Sequence, residues 1–248
     1  MSSKAASGGR AAGVRVSAQL IDAATDAHLW AERFDGDAGD LFAVQDEITS
    51  RIAVALNLEL TGAEAARQTE HPDALYYILR GRAASNKPQT RDTRAEAISM
   101  FEAALALDPQ SAEAQGALAG VLAGRAPDGM ADTPAADIAR AEGLAEQAVA
   151  ASPRSALAHH AKGQVLRAQA QRGAEDRCAA AITEYETAIA LNRNAVFPIA
   201  ALGWCKLLAG PLEEVIPLVE KAIRLSPRDP AIYFWYQCWE GAPAAIAY

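Results

Sequence analysis

The chain has 248 residues, with 23 Lys plus Arg against 31 Asp plus Glu, giving a formal charge of −8 at pH 7. Hydrophobic residues make up 51% of it but aromatics only 6%, and about a quarter of all positions are alanine, a composition suited to close-packed helices. The acidic balance argues against nucleic-acid binding, which needs a basic face, and cysteines at only 178, 205 and 238 neither build a disulfide framework nor match a zinc spacing.

Residues 1–13 are small, polar and glycine-rich and are expected to form a flexible N-terminus, with no apolar signal-peptide core behind them. The longest apolar run, Ala195 to Ala209, is interrupted by Pro198 and Lys206 and is too short for a membrane span. A cytoplasmic, reducing setting is the expectation.

Residues 14–60 mix strand and helix signals. Val14, Val16, Ala18 and Leu20 alternate with polar residues, the period of a half-buried strand. Asp22 to Ala27 suits a turn, and His28 to Phe34 reads as a second strand carrying Trp30 and Phe34, so a β-hairpin is predicted. After a break at Asp35 to Gly39, Asp40 is placed to cap a helix. Leu41, Val44, Ile48, Ile52, Ala55 and Leu56 form its apolar stripe, with Gln45, Asp46, Glu47 and Arg51 turned to water. A hairpin and one helix make an incomplete α/β segment. Residues 61–71 are expected to be a linker.

Residues 72–240 are repetitive. Four segments end alike, at Leu-Asp-Pro109, Ala-Ser-Pro153, Leu-Asn-Arg193 and Leu-Ser-Pro227, at intervals of 44, 40 and 34. Insertions are expected at Arg125 to Pro134 and Gln169 to Asp176, both rich in Gly, Pro or charge. A partial fifth repeat opens at Arg228 and carries Tyr233, Phe234, Trp235, Tyr236 and Trp239 before a tail over residues 241–248.

The shortest interval and its residue types resemble the tetratricopeptide repeat (TPR) family. Leu202, Gly203, Gly210, Ala222 and Pro227 carry the likeness in the fourth repeat. Gly81, Ala97, Phe101, Ala104 and Pro109 carry it in the first, and Gly163, Ala181, Tyr185 and Ala188 in the third. The second is weaker, with Ala119 at the glycine position and Ala145 where an aromatic is usual. The resemblance implies a mainly α fold: an α-solenoid of four repeats plus a partial fifth, behind the small α/β segment. Val14 to Leu56 in turn resembles the end of the TolB amino-terminal-like domain. That domain precedes TPR arrays in bacterial proteins resembling class III adenylate cyclases and winged-helix regulators. The missing strand before Val14 and the missing second helix of the fifth repeat suggest a truncated or degenerate relative.

No phosphate-binding loop of the P-loop type, no H-E-x-x-H and no G-x-S-x-G occurs. Asp35 with Asp37, and Asp46 with Glu47, read as solvated turn and helix-face charges. His159 and His160 project about 100° apart on one helix and cannot share a metal. No enzyme activity, metal or cofactor is expected. By position, the resemblance assigns Arg82, Asn86, His160, Gln164, Arg167, Phe197 and Trp204 to a groove for a peptide or protein partner. The expected function is a non-catalytic interaction scaffold in bacterial signalling. The alternative is the C-terminal regulatory part of an adenylate cyclase-type enzyme. The terminal aromatics, Tyr233 to Tyr236 and Trp239, suggest self-association.

Overall fold

A computed structural model describes residues 13–21, 28–37, 41–66, 73–174, 177–209, 212–227 and 229. The turn at Asp22 to Ala27, the cap Asp40, Gly210, Cys238 and the aromatics of the fifth repeat lie outside the described residues. The chain divides into two units, Met1–Glu59 and Leu60–Tyr248.

In the first unit, β1 (Gly13–Ile21) and β2 (His28–Asp37) pair antiparallel, with Val16 opposite Phe34, Ala18 opposite Glu32 and Leu20 opposite Trp30. These six side chains share the covered face, while Arg15, Ser17, Gln19, Ala31, Arg33 and Asp35 are exposed on the other. On that exposed face Arg15 lies directly opposite Asp35 and hydrogen-bonds it, holding the Asp35 carboxyl below its usual range. The register slips between Leu20 and Ile21, where Leu29 is the extra residue on β2.

Helix α1 (Leu41–Ala66) follows and continues into the stretch read as linker. Gln45, Asp46 and Glu47 are exposed as expected, but Arg51 is not: its side chain is only 16% exposed. Its guanidinium carbon lies 4.8 Å from the Phe34 ring centre, and it ion-pairs with Glu32. The carboxylate on the covered face of the hairpin and the arginine on the helix thus satisfy each other.

Among the described residues of the second unit, helices pair as α2 (Ala74–Ser85) with α3 (Arg91–Leu107), α4 (Ala112–Arg125) with α5 (Pro134–Ala151), α6 (Ala156–Ala170) with α7 (Arg177–Leu191), and α8 (Val196–Ala209) with α9 (Val215–Leu225). Asp73, Ser111 and Ser155 cap α2, α4 and α6 by accepting from the amides of Tyr76, Ala114 and Ala158. Thr90 and Thr93 cap α3 reciprocally. The four terminators form one repeated turn. Asp108, Ser152, Asn192 and Ser226 donate their amides to Ala104, Ala148, Ala188 and Ala222, and their carbonyls accept from the residue three further on. In the first and third turns the side chain adds a bond: Asp108 Oδ1 accepts from the Gln110 amide at 3.2 Å and Asn192 Oδ1 from the Asn194 amide at 3.1 Å, so the third keeps the pattern of the first with Arg193 in place of a proline.

The helix crossings explain the alanine. A Cβ on Gly81 would lie 2.5–2.8 Å from the Phe101 ring, and one on Gly163 would lie 2.6–3.0 Å from the Tyr185 ring. The first and third repeats thus pair a glycine with a buried aromatic. In the second repeat Ala119 and Ala145 are both fully buried in one cluster, two small residues in place of one absent and one large. The fourth repeat pairs Gly203 with Val219. Helix α4 is buried nearly all round, and Gly116 faces α6, where a Cβ would lie 3.6 Å from the Ala158 backbone, an ordinary contact. The inserted connections fall where the excess length placed them. Residues 126–133 are pinned by Arg91 to Asp132 and the Gly129 carbonyl, by Arg94 to Asp128 and by the bidentate pair of Arg125 with Asp137. Gly129 and Gly173 take the left-handed φ that these two loops require.

The first helices meet one another in order, closely where α4 packs on α6 and lightly where α2 meets α4 and α6 meets α8, whereas no second helix packs closely on another among the described residues. The layer of first helices is therefore the inner, more tightly drawn one. Among the described residues no helix is long and apolar enough to cross a membrane.

Candidate functional site

The seven sequence-assigned groove residues all lie on first helices: Arg82 on α2 with Asn86 as its C-cap, His160, Gln164 and Arg167 on α6, and Phe197 and Trp204 on α8. The structure sorts them into groups. Arg82 faces Glu113 at the start of α4, Nη1 to Oε1 3.3 Å, beside a cleft of about 340 Å³ bordered also by Ala117, Ser152, Ser155 and Leu157. Asn86 donates its amide to the last carbonyls of α2 and thereby closes that helix. Glu113, in the first turn of α4, was not singled out in the sequence.

Helix α4 lies between α2 and α6, and contributes Glu113 and Ala117 to the cleft beside Arg82. A Cβ on Gly120 would meet nothing within 4 Å.

On α6, the residues at 160, 164 and 167 share one helix face. Gln164 Oε1 accepts from Arg167 Nε at 3.1 Å and Nη2 at 2.9 Å, and from the Tyr185 hydroxyl of α7 at 3.4 Å. His160 lies against the Tyr185 ring at 5.9 Å and the Phe197 ring at 6.4 Å, with Gln164 Nε2 3.5 Å from its Nε2. Its Nδ1 is enclosed and has no hydrogen-bond partner. Burial, reinforced by the nearby Arg167 charge, lowers the His160 pKa to about 4. Burial also pushes the Tyr185 hydroxyl above its ordinary value. Tyr185 read in the sequence as a packing residue only; its hydroxyl also joins the polar cluster.

Phe197 is 39% exposed, and Trp204 is half-buried. The adjacent His159 is not on this face: its ring is held between Glu184 and the Pro153 carbonyl, at 2.7 and 2.9 Å. Cys178 and Cys205 are buried thiols, consistent with small core residues. Lys206, 6% exposed, is held by Glu214 and Glu186, and the Glu214 bond raises its pKa. No group of three or more His, Cys, Asp or Glu arranged to hold a metal ion occurs among the described residues.

The paired helices, their Gly/aromatic crossings and the repeated turn define a TPR α-solenoid. A thermophilic TPR protein of Thermus thermophilus, TTC0263, has the same fold: TM-score 0.52 at 16% identity, covering 85% of this chain and 95% of that one. A protein of Rhizobium meliloti (strain 1021) named "Putative adenylate cyclase 3" is 38% identical over 109 residues, which is 42% of this chain and 18% of that protein. The chain thus matches less than a fifth of that relative's length. No protein-family model matches the chain.

Proposed function

We propose that the chain is a non-catalytic protein-interaction scaffold. In this reading the face formed by α2, α4, α6 and α8 receives an extended peptide or a segment of a partner protein. The observation that carries it is the arrangement of that face: polar side chains from α2 and α6 flank α4, whose Gly120 projects no side chain toward open space. Backbone could lie close to α4 there while Arg82, Asn86, His160, Gln164 and Arg167 supply hydrogen bonds and Phe197 and Trp204 supply aromatic contact. A scaffold of packed helices loses little conformational entropy on binding.

The experiment is selection of binders from a displayed random-peptide library, followed by competition with the double variant R82A/N86A. At least a tenfold loss of affinity supports the groove. No enriched sequence, or equal binding to the variant, contradicts it.

A second reading is favoured by the 38% identity to the Rhizobium protein. The chain would be a regulatory segment of an adenylate cyclase-type signalling enzyme, with catalysis residing in another domain. Cyclase activity of this chain with ATP and Mn²⁺ above a buffer control would overturn both readings, since each leaves catalysis elsewhere. The signalling setting, the cytoplasmic location, self-association through Tyr233 to Tyr236 and Trp239, and the linker after the α/β segment belong to the same proposal.

A further inference from the structure

Two joints between successive repeats are closed by the same device in different chemistry. Ser111 and Ser155 cap α4 and α6, and the residue four beyond each cap reaches back to the proline carbonyl of the preceding turn. At the α4 joint, Gln115 Nε2 donates to the Pro109 carbonyl at 2.9 Å and to Gln147 Oε1 of α5 at 3.2 Å. At the α6 joint, His159 Nε2 lies 2.9 Å from the Pro153 carbonyl, and Nδ1 lies 2.7 Å from Glu184 Oε2 of α7. At α8 the corresponding residue is Ile199, whose side chain has nothing to donate. An amide nitrogen carries two hydrogens, so Gln115 serves two acceptors at any pH. A neutral imidazole carries one, and neither partner of His159 has a hydrogen to give: a peptide carbonyl only accepts, and Glu184 is held ionised. Burial alone would raise the Glu184 carboxyl, but the bonds from Lys162 and His159 outweigh it and hold it below its ordinary value. Lys162 Nζ lies 2.6 Å from Oε1 while His159 takes Oε2, so both carboxylate oxygens are engaged. No further charged group pairs with the ring from α4, α5 or α8 among the described residues.

We propose that His159 is a proton-dependent clamp on the joint between the second and third repeats. Both bonds form only while the ring carries a hydrogen on each nitrogen. When one proton leaves, a lone pair faces an acceptor at hydrogen-bond distance, and that contact must part. The remaining hydrogen stays at Nδ1, where the carboxylate is the stronger acceptor, so the Pro153 side opens. In sequence Pro153 lies between Ser152 and Ser155, and both serines border the cleft beside Arg82. Loss of the proton therefore loosens the turn that forms one wall of that cleft, whereas the α4 joint, held by Gln115, is indifferent to pH. The clamp does not rest on the scaffold reading. With both bonds made, the folded chain holds this proton more tightly than the unfolded chain. The clamp therefore stabilises fully at low pH, and its contribution is lost as the pH rises through the folded ring's titration.

The test uses the full chain. Nitrogen NMR of the histidine rings should show hydrogens on both His159 nitrogens at about pH 5.5 and on Nδ1 alone at about pH 8.5, on either side of histidine's ordinary range. His160, lowered to about 4, carries one hydrogen throughout and serves as the internal reference. Over the same range the amide nitrogen of Arg154, which shares a peptide with the Pro153 carbonyl, should shift. Gln110, its counterpart after Pro109, should stay still. H159Q copies the Gln115 arrangement and should hold the joint without a titrating group. The urea-unfolding constant of the wild type relative to H159Q should therefore rise about fivefold or more across that range. A His159 ring with a single hydrogen at the lower pH would overturn the clamp. So would an Arg154 signal no more responsive than that of Gln110, or an unfolding ratio constant with pH. The NMR measurements use the wild type alone and decide the matter if H159Q does not fold. None of these outcomes bears on the scaffold reading.

Discussion

His160 shows how one residue's surroundings set its behaviour. An ordinary histidine near pKa 6.5 is lowered here to about 4 because its ring is enclosed by Tyr185 and Phe197 and repelled by Arg167. Between those two pH values the unfolded chain binds a proton at this ring and the folded protein does not. Stability from this source is therefore complete above pH 6.5 and is lost as the pH falls toward 4, by on the order of 3 kcal/mol. Urea unfolding of the wild type and H160Q across that range checks it: the variant should lose this part of the acid sensitivity, and parallel curves would contradict the burial of the ring. The spacing of His160, Gln164 and Arg167 along one helix face was readable in the sequence. That Arg167 is buried was not, since a polar residue on an inner-face position reads as solvated. What makes it otherwise is a cluster completed by Tyr185, which comes from the following helix.

At the scale of the helix pair, the crossings of the first, third and fourth repeats are set by what a glycine leaves out. Adding a methyl at Gly163 drives it into the Tyr185 ring, itself fully buried and unable to give way, so G163A should cost about 1–3 kcal/mol. At Gly120 the same change meets open space on an α-helix, and G120A should stabilise by about 0.5–1 kcal/mol. Chemical denaturation of both variants gives opposite signs if the crossings are as described, and like signs if they are not. The glycine and aromatic positions of the first and third repeats were legible because residue type reports close approach directly. The Ala119 and Ala145 pair looked weak as a motif, yet it fills the crossing by a different division of volume. The dock of Arg51 on Phe34 and Glu32 escaped notice for a related reason: a charge on a helix face and a charge in an alternating strand each read as exposed, and only their meeting buries both.

For the molecule as a whole, the repeats were evident from their terminators, and the identical backbone turn at Asp108, Ser152, Asn192 and Ser226 shows why: one hydrogen-bond pattern recurs whether or not a proline follows. The inserted loops were legible as excess length, but the anchoring of the first by Arg91, Arg94 and Arg125 was not, because those partners are remote in sequence or read as loop charges. A solenoid in which each repeat leans mainly on its neighbours should respond locally to damage. F101A, which empties a site 1% exposed, should cost about 3–5 kcal/mol. Amide exchange should accelerate first in α2 and α3 while α7 and α8 keep their protection; uniform acceleration would argue for a single cooperative core instead.

The central claim is that a partner engages the inner face. Mapping backbone amide shifts on titration with a library-selected peptide tests it most directly. The account predicts that the largest changes fall on α2, α4, α6 and α8, at Arg82, Gly120, Gln164 and Arg167 among them. Changes confined to α3, α5 and α7, with these residues unmoved, would contradict it.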